Sequence, residues 1–184
     1  GRITGAAVLG QISGENAADY SKELEFTAID DMPIIKEKYE WYNAVMNREI
    51  GAGWLEVNST LSQIMDKYLS VKSPRSETLM RAGYKYLGDL KKYATAELSA
   101  ANAHATEQLK AENAHELMRT LEVMDLMDLS QAIFLCSENR KETRGFHRRS
   151  DYTFTNPLLN NRFQTICLED GKPVLEFRDK VKKY

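Results

Sequence analysis

Residues 140–152 read RKETRGFHRRSDY, and the interpretation of the whole chain starts from this stretch. It combines five cations, one histidine, two anions and two aromatic rings. It follows a long apolar segment that predicts a helix, so its cations complement the carboxyl end of the helix dipole, and we expect Gly145 to be the C-cap. Beyond the cap, guanidinium groups are able to clamp carboxylates across an interface. A solvated basic patch is the alternative.

The segments that precede this stretch have mostly helical periodicity. Pro33 lies at a first-turn position, and Gly51 and Gly53 are placed to end the helix that it opens. The segment from Asn113 to Glu142 has almost no polar face, which predicts a helix enclosed by its neighbours. The alanine-rich stretch from Ala94 to Ala111 is either helix or a connection. The predicted helices are 5–20, a helix from residue 33, 54–69, a helix from residue 76, and 113–142.

The last part of the chain changes to a strand pattern. Residues 162–168 and 173–178 are rich in Ile, Val and Phe, and Asp170-Gly171 between them predicts a hairpin. We therefore expect a mainly α fold, a three- to four-helix up-and-down bundle of the spectrin-repeat type with a small C-terminal β-hairpin. The predicted domains are an isolated helix at 1–20, a linker at 21–32, the bundle at 33–152 and a tail with the hairpin at 153–184.

Composition excludes several classes of protein. The chain has 184 residues and a net charge of −2, and no stretch of about 20 apolar residues that a membrane span requires. No basic leader precedes an apolar core, so we expect a cytoplasmic protein. We interpret the two cysteines, Cys136 and Cys167, as buried thiols. Residues 138–184 hold 11 basic and 7 acidic residues, whereas the rest hold 14 and 20, which predicts an acidic body with a basic tail.

Ligand and catalytic motifs are sparse. Glu112 and His115 have the E-x-x-H spacing of di-iron bundles, but the nearby His104 and Glu107 are in reverse order, and no second copy exists. We therefore expect no metal. Neither cysteine and no serine lies in a recognisable nucleophile motif. No Gly-rich turn follows a strand, as a dinucleotide site requires. A basic face with interleaved aromatic rings is also absent, which argues against nucleic acid.

A family resemblance explains the opening stretch. The residues Asn113-Ala-His-Glu-Leu-Met-Arg119 and Arg140 to Tyr152 resemble the carboxyl-terminal helical domain of the succinate dehydrogenase and fumarate reductase flavoprotein family, which includes adenylylsulfate reductase and L-aspartate oxidase. Its signature, HEL and then R-x-E-S-R-G-x-H-x-R-x-D-Y, is matched here except that Thr143 replaces the serine. Lys172 to Arg178 is similar to the last strand of succinate dehydrogenase flavoproteins, while the segment 64–68 is closer to adenylylsulfate reductase.

The start of the chain is also similar to this family. Residues 8–18, VLGQISGENAA, look like the last helix of its FAD-binding domain, usually V-F-G-R-x-A-G-x-x-A-A. The small side chains of this helix permit close approach by another group. The resemblance implies that four residues approach the flavin when the rest of the protein is present: Thr4, Gly5, Ala6 and Ala7.

The resemblance implies a function that depends on chain outside these 184 residues. The dinucleotide fingerprint and the substrate-binding His and Arg residues of the family lie upstream, so we expect a carboxyl-terminal fragment of an FAD-dependent oxidoreductase, with no catalytic residue and no cofactor of its own. Its expected partners are the FAD-binding and capping domains, docked through Arg144, His147, Arg149 and Asp151. An iron-sulfur subunit is a further candidate partner, one that would hold the protein at the inner face of the cell membrane. The alternatives are a non-catalytic helical interaction module and an adenylylsulfate-reductase-like subunit.

Overall fold

The computed structural model describes residues 2–25, 29, 32–48, 51–94 and 111–180. The chain divides into two compact units, Gly1–Trp41 and Tyr42–Tyr184. The first unit contains helix α1 (Arg2–Lys22) and most of helix α2 (Pro33–Met46), with Pro33 in the first turn as predicted. Helix α2 ends before the predicted Gly51 and Gly53. The predicted domain boundaries stay predictions, and residues 95–110 of the alanine-rich stretch lie outside the described residues.

A three-helix bundle forms the second unit. Helices α3 (Trp54–Tyr68), α4 (Glu77–Ala94) and α5 (Ala114–Asn139) each pack against the other two. Ion pairs join Arg81 to Glu138 and Lys91 to Asp128, so α4 and α5 run in opposite directions. The guanidinium of Arg119 lies over the ring of Trp54, which places the starts of α3 and α5 side by side. The up-and-down bundle predicted from periodicity is confirmed.

The core is made of apolar residues at three- and four-residue steps along the three helices. These positions bring one side of each helix to a common axis, where side chains are removed from water. The buried cluster comprises Val57, Leu61, Ile64, Leu69, Met80, Leu87, Val123, Met127 and Phe134.

Gly83 allows α4 to approach its neighbours closely. A Cβ atom at this position would lie 2.7 Å from Cζ of Phe134 on α5 and would also collide with Cβ of Tyr68 on α3. The ring of Tyr68 is 5.5 Å from that of Tyr86, which continues the contact between α3 and α4. The absence of a side chain at residue 83 therefore sets the spacing of all three helices.

Helix α5 differs from its prediction in two ways. It begins after Asn113, whose side chain accepts a hydrogen bond from the backbone N–H of Glu116, and it ends at Asn139, three residues before the predicted end. The prediction that neighbours enclose it is wrong, because Leu126 and Leu129 are 44% and 56% exposed. Three helices cover only one side of one another, so an apolar residue on the outer side of α5 stays in water.

The hairpin has the predicted position and turn. Strands β1 (Arg162–Glu169) and β2 (Lys172–Asp179) pair antiparallel, with Glu169 opposite Lys172. Asp170 and Gly171 have φ values of 50° and 73°, as a two-residue type I′ turn requires. The prediction that both cysteines are buried is wrong: Cys136 is half-buried and Cys167, on β1, is exposed. Only Gln164–Ile166 of β1 are half-buried, so the end of the strand next to the turn, which includes Cys167, stays in solvent.

Candidate functional site

Two connections come together at one end of the bundle. They are the α3–α4 connection, residues 69–76, and the stretch after α5, residues 140–152. The backbone N–H of Arg75 donates to the Arg148 carbonyl at 2.8 Å, and the N–H of Ser150 donates back to the Arg75 carbonyl at 2.8 Å. Nη2 of Arg148 donates to the Lys72 carbonyl at 2.7 Å. We call this assembly the loop clamp, residues 69–76 and 140–152.

Arg149 lies in the centre of the loop clamp and is 2% exposed. Its Nη1 donates to the carbonyls of Ser137 and Glu138 at 3.0 and 3.1 Å, in the last turn of α5. Its Nε and Nη2 donate to the two oxygens of Asp151 at 2.6 and 2.7 Å. Asp151 also accepts from the backbone N–H of Glu77, the first residue of α4, at 2.8 Å. Arg149 thus gives hydrogen bonds to free carbonyls at the carboxyl end of α5, and Asp151 accepts one from the amino end of α4. A cation at a carboxyl end and an anion at an amino end are the charges that the helix dipoles favour.

The electrostatics of this pair keep it charged. The hydrogen bonds from Arg149 lower the pKa of Asp151 from 3.8 to about 2, and the backbone bond from Glu77 contributes in the same direction. The ring of Tyr152 lies 4.9 Å from the Arg149 guanidinium and covers it.

Glu142 is a second buried charge, with no exposed surface. Arg140 pairs with it at 2.6 Å, and Arg144 donates to it from Nε and Nη2 at 3.1 to 3.2 Å. The backbone N–H of Asn156 donates to it at 2.9 Å. Burial by itself would raise the pKa of Glu142, but the bonds from Arg144, Asn156 and Arg140 outweigh it, and the pKa lies below its usual range. Nη2 of Arg144 extends the network to the Asn160 side chain at 2.7 Å.

His147 joins the two connections as a neutral ring. Its Nδ1 lies 3.2 Å from Nη1 of Arg75, and its Nε2 lies 2.9 Å from the Arg140 carbonyl. Because a guanidinium only donates, Nδ1 is the acceptor and Nε2 carries the proton. Burial lowers the pKa of His147, and the charges of Arg75, Arg149 and Arg140 lower it further.

A tight turn exposes one aromatic ring. Arg144 and His147 exchange backbone hydrogen bonds at 2.8 and 3.0 Å, and Gly145 between them has a φ of 58°. A positive φ at the first central residue only is the pattern of a type II′ turn. The prediction that Gly145 caps α5 is wrong, since the chain leaves the helix at Arg140 and Gly145 belongs to this hairpin. The turn places Phe146 at its tip, where the residue is 82% exposed.

The predicted docking residues lie together in the loop clamp but differ in their surroundings. Arg149 is buried, the Asp151 side chain is 30% exposed and bonded to it, and Arg144 and His147 are half-buried. Arg75 joins these residues from a segment more than 60 positions earlier, and no local pattern in the sequence marks it. Phe146 had no predicted role, although a Gly followed by an aromatic residue in a charged stretch indicates an exposed turn.

The residues predicted to approach a flavin lie in the first two turns of α1. Thr4, Ala6 and Ala7 are exposed, and no atom lies within 4 Å of a Cβ built on Gly5. These positions of α1 are open in the described structure, and their approach to a flavin stays a prediction.

The described residues hold few other candidate sites. An open groove of about 380 Å³ lies between α3 and α4, lined mainly by the rings of Tyr68 and Tyr86 and by Ile64 and Leu90. In the part of the chain that the structure describes, no three His, Cys, Asp or Glu side chains form a group able to hold a metal ion. His115 is exposed, and His104 and Glu107 lie outside that part. No helix among the described residues has the length and apolarity to cross a membrane.

Comparison with known proteins gives curated relatives that are several times longer. The fumarate reductase flavoprotein subunit of Haemophilus influenzae is 25% identical over 176 residues, a match covering 92% of this chain and 27% of the relative. The succinate dehydrogenase flavoprotein subunit of Bacillus subtilis is 26% identical over 159 residues, a match covering 78% of this chain and 24% of the relative. The chain thus spans about a quarter of the length of these relatives.

Solved structures share the fold. Adenylylsulfate reductase of Archaeoglobus fulgidus superposes with a TM-score of 0.75 at 20% identity, covering 94% of this chain and 28% of that one. E. coli quinol fumarate reductase superposes with a TM-score of 0.69 at 18% identity, and the match covers 94% of this chain and 29% of that one. Residues 58–181 match the family described as "Fumarate reductase flavoprotein C-term". This range begins in α3, continues through α5 and the loop clamp, and includes both strands, so the chain belongs to the fumarate reductase flavoprotein C-terminal family.

Proposed function

We propose that this chain is the carboxyl-terminal helical domain of an FAD-dependent oxidoreductase of the fumarate reductase and succinate dehydrogenase type. The observation that carries the proposal is the family match over residues 58–181, together with the curated relatives that are about four times as long. The redox chemistry then belongs to the remainder of the parent polypeptide, and this domain packs on its FAD-binding and capping domains. In the parent, FAD accepts or donates the hydride.

The loop clamp is the docking element in this proposal. Arg144 and His147 are half-buried at its surface, and their bonds within the chain fix the part of each side chain that a neighbouring domain contacts in this proposal. Arg149 and Asp151 act beneath them, because their mutual bonds hold the loop on the ends of α4 and α5. A surface fixed by buried charge pairs loses little conformational entropy on docking.

The start of α1 is the second contact in the proposal. Thr4, Gly5, Ala6 and Ala7 have small side chains, and no atom lies within 4 Å of a Cβ built on Gly5, so a flavin has room to approach the helix closely. A single helix encloses nothing by itself, so we expect no FAD affinity in the isolated chain.

Other subunits and location follow from the same proposal. The solved neighbours include a quinol-fumarate reductase with menaquinol and a Mycobacterium smegmatis Sdh1 complex. We infer that the parent flavoprotein is cytoplasmic, assembles with an iron-sulfur subunit, and lies at the inner face of the membrane through its partners.

The test compares the isolated chain with the full polypeptide that its gene encodes. The full polypeptide is expected to purify with bound FAD and to reduce fumarate with a reduced viologen dye, whereas the isolated chain leaves FAD fluorescence unchanged. Stoichiometric FAD binding by the isolated chain would contradict the proposal. So would an open reading frame with no β-strand and G-x-G-x-x-G motif upstream.

A further inference from the structure

The tip of the loop clamp carries a small apolar and basic surface. Phe146 is 82% exposed and Val71 is 55% exposed, and both are large apolar side chains in water. Lys72 and Arg148 are exposed beside them. Nη2 of Arg148 bonds to the carbonyls of both Val71 and Lys72, so the two connections present one continuous surface. We call Val71, Lys72, Phe146 and Arg148 the tip surface.

Hydrogen bonds close the backbone on both sides of Phe146. Arg144 and His147 exchange two of them, and the His147 ring is bonded on both nitrogens. The closed turn leaves the Phe146 ring in water, where the residue is 82% exposed. Exposed aromatic side chains on a defined turn are anchors of the kind that dominates binding energy at interfaces.

The charge of this end of the bundle is not balanced within the chain. Among the described residues, no carboxylate pairs with Lys72, Arg75, Lys141 or Arg148, whereas Arg140, Arg144 and Arg149 all have one. Arg148 reaches only backbone carbonyls, which leave its charge uncompensated. A surface that complements this end is therefore acidic around an apolar pocket.

From these observations we propose that Phe146 is the anchor of an interdomain contact. It inserts into an apolar pocket with an acidic rim on the FAD-binding or capping part of the same polypeptide, with Lys72 and Arg148 on the rim. This occupant rests on the proposed function: the matched relatives have about three quarters of their length outside the region that this chain covers, which supplies the chain needed to cover the tip.

Thiol labelling tests the contact. Phe146→Cys is made in a Cys136→Ser, Cys167→Ser background, both as the isolated chain and as the full polypeptide, and reacted with a maleimide. We expect at least tenfold slower labelling in the full polypeptide, and partial recovery on adding Arg148→Gln or high salt, because both weaken the rim. Leu168→Cys, next to the turn of the hairpin where Leu168 is 74% exposed, is the control for reagent access and folding.

Three outcomes overturn the inference and separate it from the proposed function. If the full polypeptide binds FAD but Phe146→Cys is labelled as fast as in the isolated chain, the proposed function stands and the anchor is wrong. If no flavin-binding part is encoded upstream, both fail. If the isolated chain binds anionic phosphatidylglycerol vesicles and Phe146→Ser abolishes this binding, the tip surface faces a membrane and the interdomain assignment is wrong.

Discussion

At the scale of single residues, Arg149 is the buried charge that joins the end of α5 to the start of α4 through Asp151. It binds two carbonyls of α5 and both oxygens of Asp151, and Asp151 in turn binds the start of α4. These bonds give the two carbonyls and the carboxylate of Asp151 a charged partner at the helix ends. A guanidinium is required here because a lysine ammonium lacks the planar geometry for two carboxylate oxygens and two carbonyls.

Arg149→Ala should therefore be strongly destabilising. The substitution leaves two carbonyls beneath the loop without a donor and leaves Asp151, whose side chain is 30% exposed, without its cation, so the free energy of unfolding should fall by about 2 to 4 kcal/mol. Urea denaturation of the isolated chain measures it. Arg178→Ala is the control, because its ion pair with Glu176 on the hairpin is largely exposed and is worth less than about 1 kcal/mol. Equal losses in the two variants would show that Arg149 is no more than a surface charge.

The pKa of Asp151 predicts a pH dependence. Its value in the folded chain is about 2, below its ordinary value, so the unfolded chain binds more protons between these values. The stabilisation is fully present above about pH 4 and is lost as the pH falls towards 2. With part of the carboxylate exposed, we expect a loss of about 1 to 2 kcal/mol. Urea titrations of the chain and of Asp151→Asn should converge over this range, and a constant gap between them would contradict the assignment.

At the scale of secondary structure, α4 depends on a glycine in its interior, Gly83, although glycine has a low helix propensity. Gly83 faces Tyr68 and Phe134, and a methyl group there has no room. Gly88, on the same helix, has no atom within 4 Å of a built Cβ. The two glycines thus separate the cost of a collision from the gain in helix propensity.

Gly83→Ala should lower the free energy of unfolding by about 1 to 3 kcal/mol, because overpacking outweighs the improved propensity. Gly88→Ala should raise it by up to about 1 kcal/mol, since only the propensity changes. Thermal unfolding followed by circular dichroism at 222 nm compares the two. A stabilised Gly83→Ala variant would mean that α4 is not held close to its neighbours.

At the scale of the whole chain, the two compact units differ in burial. Within the described residues, α1 has no buried side chain, whereas Leu87 and Met127 in the bundle have no exposed surface. Most helical stability in proteins comes from tertiary packing, and the described side chains of α1 have little of it. The bundle has its own core and supplies the cooperative part of the fold.

Amide hydrogen exchange should show this difference directly. Amides of α1 in the isolated chain should exchange within seconds, while amides around Leu87 and Met127 should exchange only at the rate set by global unfolding. Mass spectrometry after proteolysis distinguishes the segments. Equal protection of α1 and α5 would contradict this prediction and would require burial of α1 by a contact within the chain or with a second copy.

Much of this architecture could be predicted because it depends on short-range patterns. The helices follow from apolar spacing and from Pro33 and Asn113, and the hairpin follows from Asp170-Gly171 between two apolar runs. The family followed from the residues of 140–152 themselves. The prediction for Gly145 was wrong because a glycine after a helix is compatible with a cap or with a turn, and only the partners of Arg144 and His147 distinguish the two.

The sequence by itself determined the elements, the unequal distribution of charge and the family, since each depends on residues close together along the chain. The tertiary structure decided which charges are buried and which remain at the surface. Glu142 and Arg149 are inside and Phe146 is outside because the packing of α3, α4 and α5 brings residue 75 to residues 147–150. A contact across more than 60 positions is set by the direction and spacing of three helices, which no local pattern of residues specifies.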